Sequence, residues 1–167
     1  MEKERLQFCI HRFDHFYETV NSKTNSMLLL STFFTGGLIS LYPFFSEKLN
    51  ETNHLIISFW YLSVLLGLIS LILTNWSSIP FLSPCNDQSI YYFGSIAGLN
   101  ENEFLTKSKE ATPEKEVEDL RIQTHRLAKG LYRKFSVLKF AGWLTTIQIV
   151  SFVIFAIIFF LNLKQHS

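Results

Sequence analysis

The sequence predicts an all-α integral membrane protein. Three transmembrane helices are expected, with a cytoplasmic helical stalk formed by extensions of the first and third spans. Three observations carry this. Three segments long enough to cross a bilayer contain no Asp, Glu, Lys or Arg. Amphipathic stripes at helical spacing lead into the first and last of them without a break. Thirteen of the fifteen Lys and Arg residues fall in segments that three crossings put on one side.

The charge-free runs are "SMLLLSTFFTGGLISLYPFF" (26–45), "LIISFWYLSVLLGLISLILT" (55–74) and "FAGWLTTIQIVSFVIFAIIFFLN" (140–162). Twenty helical residues rise about 30 Å, the thickness of the hydrocarbon core. Charged residues make up only 17% of the chain, against about 25% in soluble domains. The first run reads as a span rather than a cleaved signal peptide. It is preceded by mixed charges and lacks a small-residue exit site.

The positive-inside rule sets the orientation. Basic residues crowd the segment before the first span and the long segment between spans two and three. Lys48 and Lys164 are the two exceptions. The N-terminus and residues 75–139 are therefore expected in the cytoplasm, with the loop 46–54 and the tail 163–167 outside. Cys9 and Cys85 then sit in a reducing compartment, which argues against a disulfide. The sequons at Asn50 and Asn75 read as chance matches. A net charge of +1 does not suit a nucleic-acid binder.

Residues 1–25 read as an amphipathic helix continuous with the first span. Leu6, Ile10, Phe13, Tyr17 and Val20 form one stripe, widened by Cys9 and Phe16, while His11, Asp14, His15 and Glu18 fall mostly off it. A second such helix is expected over 112–139, continuous with the third span. Thr112 suits its N-cap and Pro113 its first position. Glu114 and Glu116 suit the positive end of the dipole. Val117, Leu120, Thr124, Leu127, Leu131 and Leu138 follow in steps that suit a heptad-like seam, which Gly130 weakens by about 1 kcal/mol relative to Ala. Both helices point their C-terminal ends at the membrane, so they can pack in parallel. The connector 75–111 begins irregularly around its prolines, and "ENEFLTKSKE" within it can form a short helix. Its apolar stretch "YYFGSIAGL" (91–99) is too short to span and reads either as a clasp holding the stalk or as a wall of a ligand pocket.

Few residues carry obvious chemistry. Ser31 with Thr35, Gly36 with Ser40, and Ser63 with Gly67 are small pairs four apart that allow close helix approach, within one protomer or between protomers. Gln148 is the most polar residue of the third span and suits interhelical hydrogen bonding, or less readily a pore lining. No ionisable residue lies within a span, so a proton relay is not indicated. "HRFDH" puts His11, Asp14 and His15 at spacing that could offer two imidazoles to a metal, but no third ligand is evident and a solvated face is the stronger reading. Glycine-rich phosphate loops and nucleophile elbows are missing, so no enzyme is expected. Arg126, Lys129, Arg133, Lys134 and Lys139 cluster where the second stalk helix enters the bilayer. They suit lipid headgroups, or a small anion held between the stalk helices. Gln123, His125 and Asn21 could then bond a base edge, and Tyr91, Tyr92 or Phe93 could stack on it.

"YYFGSIAGLNENEF" followed by "EDLRIQTHRLAKGLYRKFSVLKFA" and a last span resembles the Pycsar transmembrane effector family. The specific elements are Phe93, Gly94, Ile96 and Ala97, then Asp119, Leu120 and Gln123, then Lys134 and Phe135. The family tends to carry a lysine before its first span, and Lys23 stands there, with Asn21 where an Asp is common. The resemblance implies a bacterial antiphage effector in the inner membrane. It would respond to a cyclic pyrimidine mononucleotide, cCMP or cUMP, made by a separate pyrimidine cyclase, and would impair membrane integrity, with self-association expected. Lys23, Asn21, Tyr92, Phe93, Gln123, Arg126 and Lys134 are the residues taken to surround the ligand. No cofactor is expected. The alternative is a structural anchor or adaptor whose stalk docks a soluble partner.

Overall fold

The computed structural model describes residues 1–48, 54–79 and 89–165. Every regular element among them is helical: α1 (Glu2–Ser40), α2 (Tyr42–Lys48), α3 (His54–Ser78), α4 (Phe93–Ala97), α5 (Glu101–Lys109) and α6 (Pro113–Gln165). Helices α1, α3 and α6 are long and apolar enough to cross a membrane. Cys85 and part of the loop 46–54 lie outside the described residues.

Local chemistry sets the helix ends. Pro43 has no N–H, and its ring collides with the carbonyl of Ile39 if the helix continues. Accordingly α1 stops at Ser40, with Leu41 N–H still bonded to the Gly37 carbonyl at 3.1 Å. The apolar stretch that can span runs on through Phe44, with a break in the helix at Leu41 between α1 and the short helix α2. Helix α5 opens on a capping box, in which Asn100 Oδ1 accepts from Glu103 N–H and Glu103 accepts from Asn100 N–H. Helix α6 starts at Pro113, and Lys115 N–H reaches Thr112 Oγ1 at 3.4 Å. It then runs 53 residues, about 80 Å at 1.5 Å per residue.

The chain forms two compact units. One holds Met1–Val20 and Pro80–Lys134; the other holds Asn21–Ile79 and Phe135–Ser167.

The second unit is a three-helix bundle. The buried positions of α3 are Ile56, Trp60, Ser63, Gly67, Ser70, Thr74 and Ser77, alternating steps of four and three. That 3.5-residue period is the spacing of left-handed helix packing. Helix α1 contributes Thr24, Ser31, Thr35 and Leu38. Helix α6 contributes Ala141, Thr145, Gln148, Ser151, Phe155 and Phe159. The seam is apolar at one end, where Leu38, Ile56, Trp60, Phe155 and Phe159 cluster. Along the rest it is polar. Ser70 Oγ lies 2.7 Å from Thr145 Oγ1, which lies 3.3 Å from Ser31 Oγ. Gln148 Nε2 donates to Thr35 Oγ1 at 3.0 Å, and Ser151 Oγ donates to the Phe59 carbonyl at 3.2 Å. Large apolar side chains such as Leu29, Phe33, Ile72, Trp143 and Phe160 point outward. Small polar groups inside and bulky apolar groups outside suit a lipid solvent, where close packing and hydrogen bonds hold helices together.

Gly67 sits at a close approach within this seam. A Cβ there would lie 2.2 Å from Thr35 Oγ1 and 2.3 Å from Gln148 Nε2. Ser31, Thr35, Ser63, Gly67 and Gln148 all lie in the seam, whereas Gly36 and Ser40 face outward. Nothing lies within 4 Å of a Cβ placed on Gly36, and Ser40 Oγ bonds back to the Gly36 carbonyl.

Candidate functional site

The first unit pairs the start of α1 with the first part of α6. Leu6, Cys9, Ile10, Phe13, Phe16 and Tyr17 are half-buried and Val20 is buried, so the stripe legible in the sequence faces inward. The pairing is parallel: Glu2 bonds Arg121, Lys3 bonds Glu116, and Tyr17 O–H donates to the Leu127 carbonyl at 3.1 Å. The Arg121 fork grips Glu2 through Nε at 2.9 Å and through Nη2 at 2.8 Å. This hydrogen bond holds the Glu2 carboxyl below its ordinary range, and the bond to Glu116 holds the Lys3 amine above its own.

Ser89 and Asp119 fasten the connector to α6. Asp119 Oδ2 accepts from Ser89 Oγ at 2.8 Å and from Ile90 N–H at 3.1 Å. Ser89 Oγ in turn accepts from the N–H groups of Tyr91 and Tyr92, at 3.2 and 3.0 Å. Asp119 also binds Gln123 one turn on, with Nε2 donating to Oδ1 at 3.3 Å. The backbone of 89–92 is thereby tied down.

These ties aim Tyr91, Tyr92 and Phe93 at a cleft of about 480 Å³. Gln7, Ile10, His11, Asp14 and Tyr17 of α1 and Leu120, Gln123, Arg126 and Leu127 of α6 complete its lining. The volume falls in the range of small-molecule pockets, about 300–1,000 Å³. Phe93 is 63% and Tyr91 42% exposed, which leaves ring surface open to a stacking partner. The Tyr92 and Phe93 rings lie 5.1 Å apart. Gly94 leaves room for this: a Cβ there would meet Tyr92 Cε1 at 2.6 Å. Gly94→Ala is expected to swing the Tyr92 ring aside without unfolding the unit, a shift readable as a change in near-ultraviolet circular dichroism.

Tyr17 stays neutral, because burial and then the Asp14 charge push its phenol upward. Its ring carries Lys134 Nζ 5.9 Å from the centroid. Lys134 is only 8% exposed, and this burial lowers its pKa. The folded state therefore binds that proton less readily than the unfolded chain does, a cost that is full at neutral pH and fades as pH rises toward the ordinary lysine value of 10.5. Lys134→Met is expected to match or exceed the wild-type Tm at pH 7 in detergent, with the difference narrowing as pH rises toward 10.5.

Four of the seven ligand candidates, Tyr92, Phe93, Gln123 and Arg126, line one cleft; Lys134 is not among the lining, and its Nζ lies over the ring of Tyr17, which is. Asn21 and Lys23 are exposed residues of the other unit and are not among the lining. His125 is exposed. Of "HRFDH", His11 and Asp14 line the cleft, while His15 lies 3.8 Å from Glu18. No group of three His, Cys, Asp or Glu side chains among the described residues could hold a metal ion. Reasoning from sequence missed Ser89, Tyr17 and the tying role of Asp119. The i, i+4 spacing of Asp119 and Gln123 was the available signal.

Compared with known protein families, the chain matches the Pycsar effector protein domain over residues 5–162. It belongs to the Pycsar effector family. No curated protein and no solved structure matches it. Pycsar effectors are antiphage defence proteins, not a known enzyme family, and this one carries the three apolar helices of a multi-pass membrane protein.

Proposed function

We propose that this Pycsar effector senses a cyclic pyrimidine mononucleotide, cCMP or cUMP, in the aromatic cleft of the first unit, and that the bound state impairs the integrity of the bacterial inner membrane. The observation that carries the reading is the convergence of three aromatic rings, Gln123 and Arg126 on one cleft of suitable volume. A pyrimidine can stack on the Tyr91–Phe93 wall. Arg126 supplies a guanidinium for the cyclic phosphate, and Lys134, over the Tyr17 ring, adds positive charge nearby. The nucleotide comes from a separate pyrimidine cyclase.

The placement of basic residues supports a cytoplasmic cleft, an inside N-terminus and an outside C-terminus. Helices α1 and α6 form walls of the cleft and also supply two of the three bundle helices. A ligand that prefers one packing of α1 against α6 would bias the bundle by its differential affinity. The outward face at Gly36 and Ser40 is small enough for close approach of a second copy, in keeping with action as an oligomer.

The test is dye influx into proteoliposomes holding the full chain. Leak that rises with cCMP or cUMP, and that Arg126→Ala weakens at least about tenfold in nucleotide concentration, is expected for loss of a charged hydrogen bond. Absence of any nucleotide-dependent leak from folded protein would overturn the proposal.

A further inference from the structure

If the cleft is a cyclic-nucleotide site, as proposed above, its hydrogen-bonding polarity determines which pyrimidine it takes. Gln123 is 7% exposed, and both hydrogens of its amide are spent: Nε2 donates to Ser89 Oγ at 3.2 Å and to Asp119 Oδ1 at 3.3 Å. A carboxylate only accepts, so the amide nitrogen must face Asp119. Asp119 cannot swing away, because its other oxygen is held by Ser89 Oγ and Ile90 N–H. What Gln123 offers to the cleft it lines is therefore its carbonyl oxygen.

A second acceptor, the Asp14 carboxylate of α1, lines the same cleft. Arg126 is the lining cation, and the ligand's phosphate is its natural counter-charge. Gln7, His11 and the tyrosines of the lining can donate as well as accept, but a base edge seated against Gln123 meets an acceptor that cannot turn. At the 4-position cytosine presents an amine with two hydrogens, whereas uracil presents a carbonyl oxygen there and has its donor, the ring N3–H, beside it, so the discrimination lies at the 4-position. Facing Gln123 Oε1, the amine makes a hydrogen bond and the carbonyl meets repulsion.

We infer that Asp119 and Ser89 act as positioning residues that lock Gln123 with its carbonyl toward the ligand, and that this lock makes the cleft select cytosine over uracil. A site with a fixed polar group rejects the mismatched analogue by much more than a hydrophobic pocket can.

The full-length protein in detergent is titrated calorimetrically with cCMP and with cUMP. The wild type is expected to bind cCMP at least about tenfold more tightly, the effect of one buried hydrogen bond made or opposed. Asp119→Asn keeps the shape of the side chain but can place an N–H opposite Gln123. The Gln123 amide can then turn its own N–H groups to the cleft, and the cCMP preference should vanish or reverse. Gln123→Leu, which removes the acceptor without touching Asp119, should bring the two affinities together. Equal affinities in the wild type, or a cUMP preference, would overturn the inference while leaving nucleotide sensing intact. An unchanged ratio in both folded variants would do the same. Binding of neither nucleotide would remove the sensing reading, and the selectivity with it.

Discussion

Gly67→Ala is expected to destabilise the three-helix bundle by about 2 kcal/mol, within the usual range for overpacking a close contact. The added methyl would overlap Thr35 Oγ1 and Gln148 Nε2, the two ends of one interhelical hydrogen bond. Gln148 is fully buried and its Oε1 already lacks a partner among the described residues, so its amide has little room to retreat to a second bonded position. Either the helices separate or the Gln148–Thr35 bond breaks, and in a membrane such bonds average about 0.6 kcal/mol. Gly67→Leu should abolish the bundle. Thermal unfolding in detergent reads both, and an Ala variant with wild-type Tm would show that the approach at Gly67 is not a tight one. Ser63→Ala is the control: among the described residues Ser63 Oγ bonds within its own helix, to the Phe59 carbonyl, and its loss should cost less than about 1 kcal/mol.

Asp119→Ala should release the connector. The carboxylate accepts from Ser89 Oγ, Ile90 N–H and Gln123 Nε2, and charged acceptors contribute about 1.5–3 kcal/mol per hydrogen bond. The amides of residues 90–92 are expected to exchange hydrogen at least about a hundredfold faster than in the wild type, the signature of local opening. The amides of α5, capped by its own Asn100 and Glu103, should not change. Nucleotide affinity should fall as the aromatic wall loses its aim. Unchanged protection at 90–92 would mean that side-chain packing, and not Asp119, holds the segment.

The large features of this fold are written in local sequence. Absence of charge over twenty residues marks a helix able to span, and the stripe from Leu6 to Val20 marks the buried face of α1. Helix α6 announces its start with Thr112 and Pro113. The end of α1 was equally local: Pro43 forbids the continuation, although hydropathy averaged over 26–45 passes across it. The cleft is a different kind of object. Its residues come from 7–17, 91–93 and 120–127, and no window of sequence contains them together. The aromatic run and Gln123 stood out by composition, but the position of Tyr17 became legible only when two helices were laid side by side. Ser89 carries no motif at all, since its role is to accept and donate within a cluster assembled by folding. Composition likewise showed small residues in the spans without telling which of them face inward. Ser31 and Gly67 do, and Gly36 and Ser40 do not.

The bundle also reverses the usual map of mutational tolerance. In a water-soluble protein the bulky apolar residues are the constrained ones and surface serines are free to vary. Here Leu29, Phe33, Ile72 and Phe160 touch little of the protein and could be exchanged for one another with small effect. Beside the apolar cluster at one end of the seam, the constrained positions are Gly67, Ser70, Thr145 and Gln148, where a single added methyl or a lost hydroxyl is felt. A saturation scan of this chain read with soluble-protein intuition would mistake its structural core for its surface.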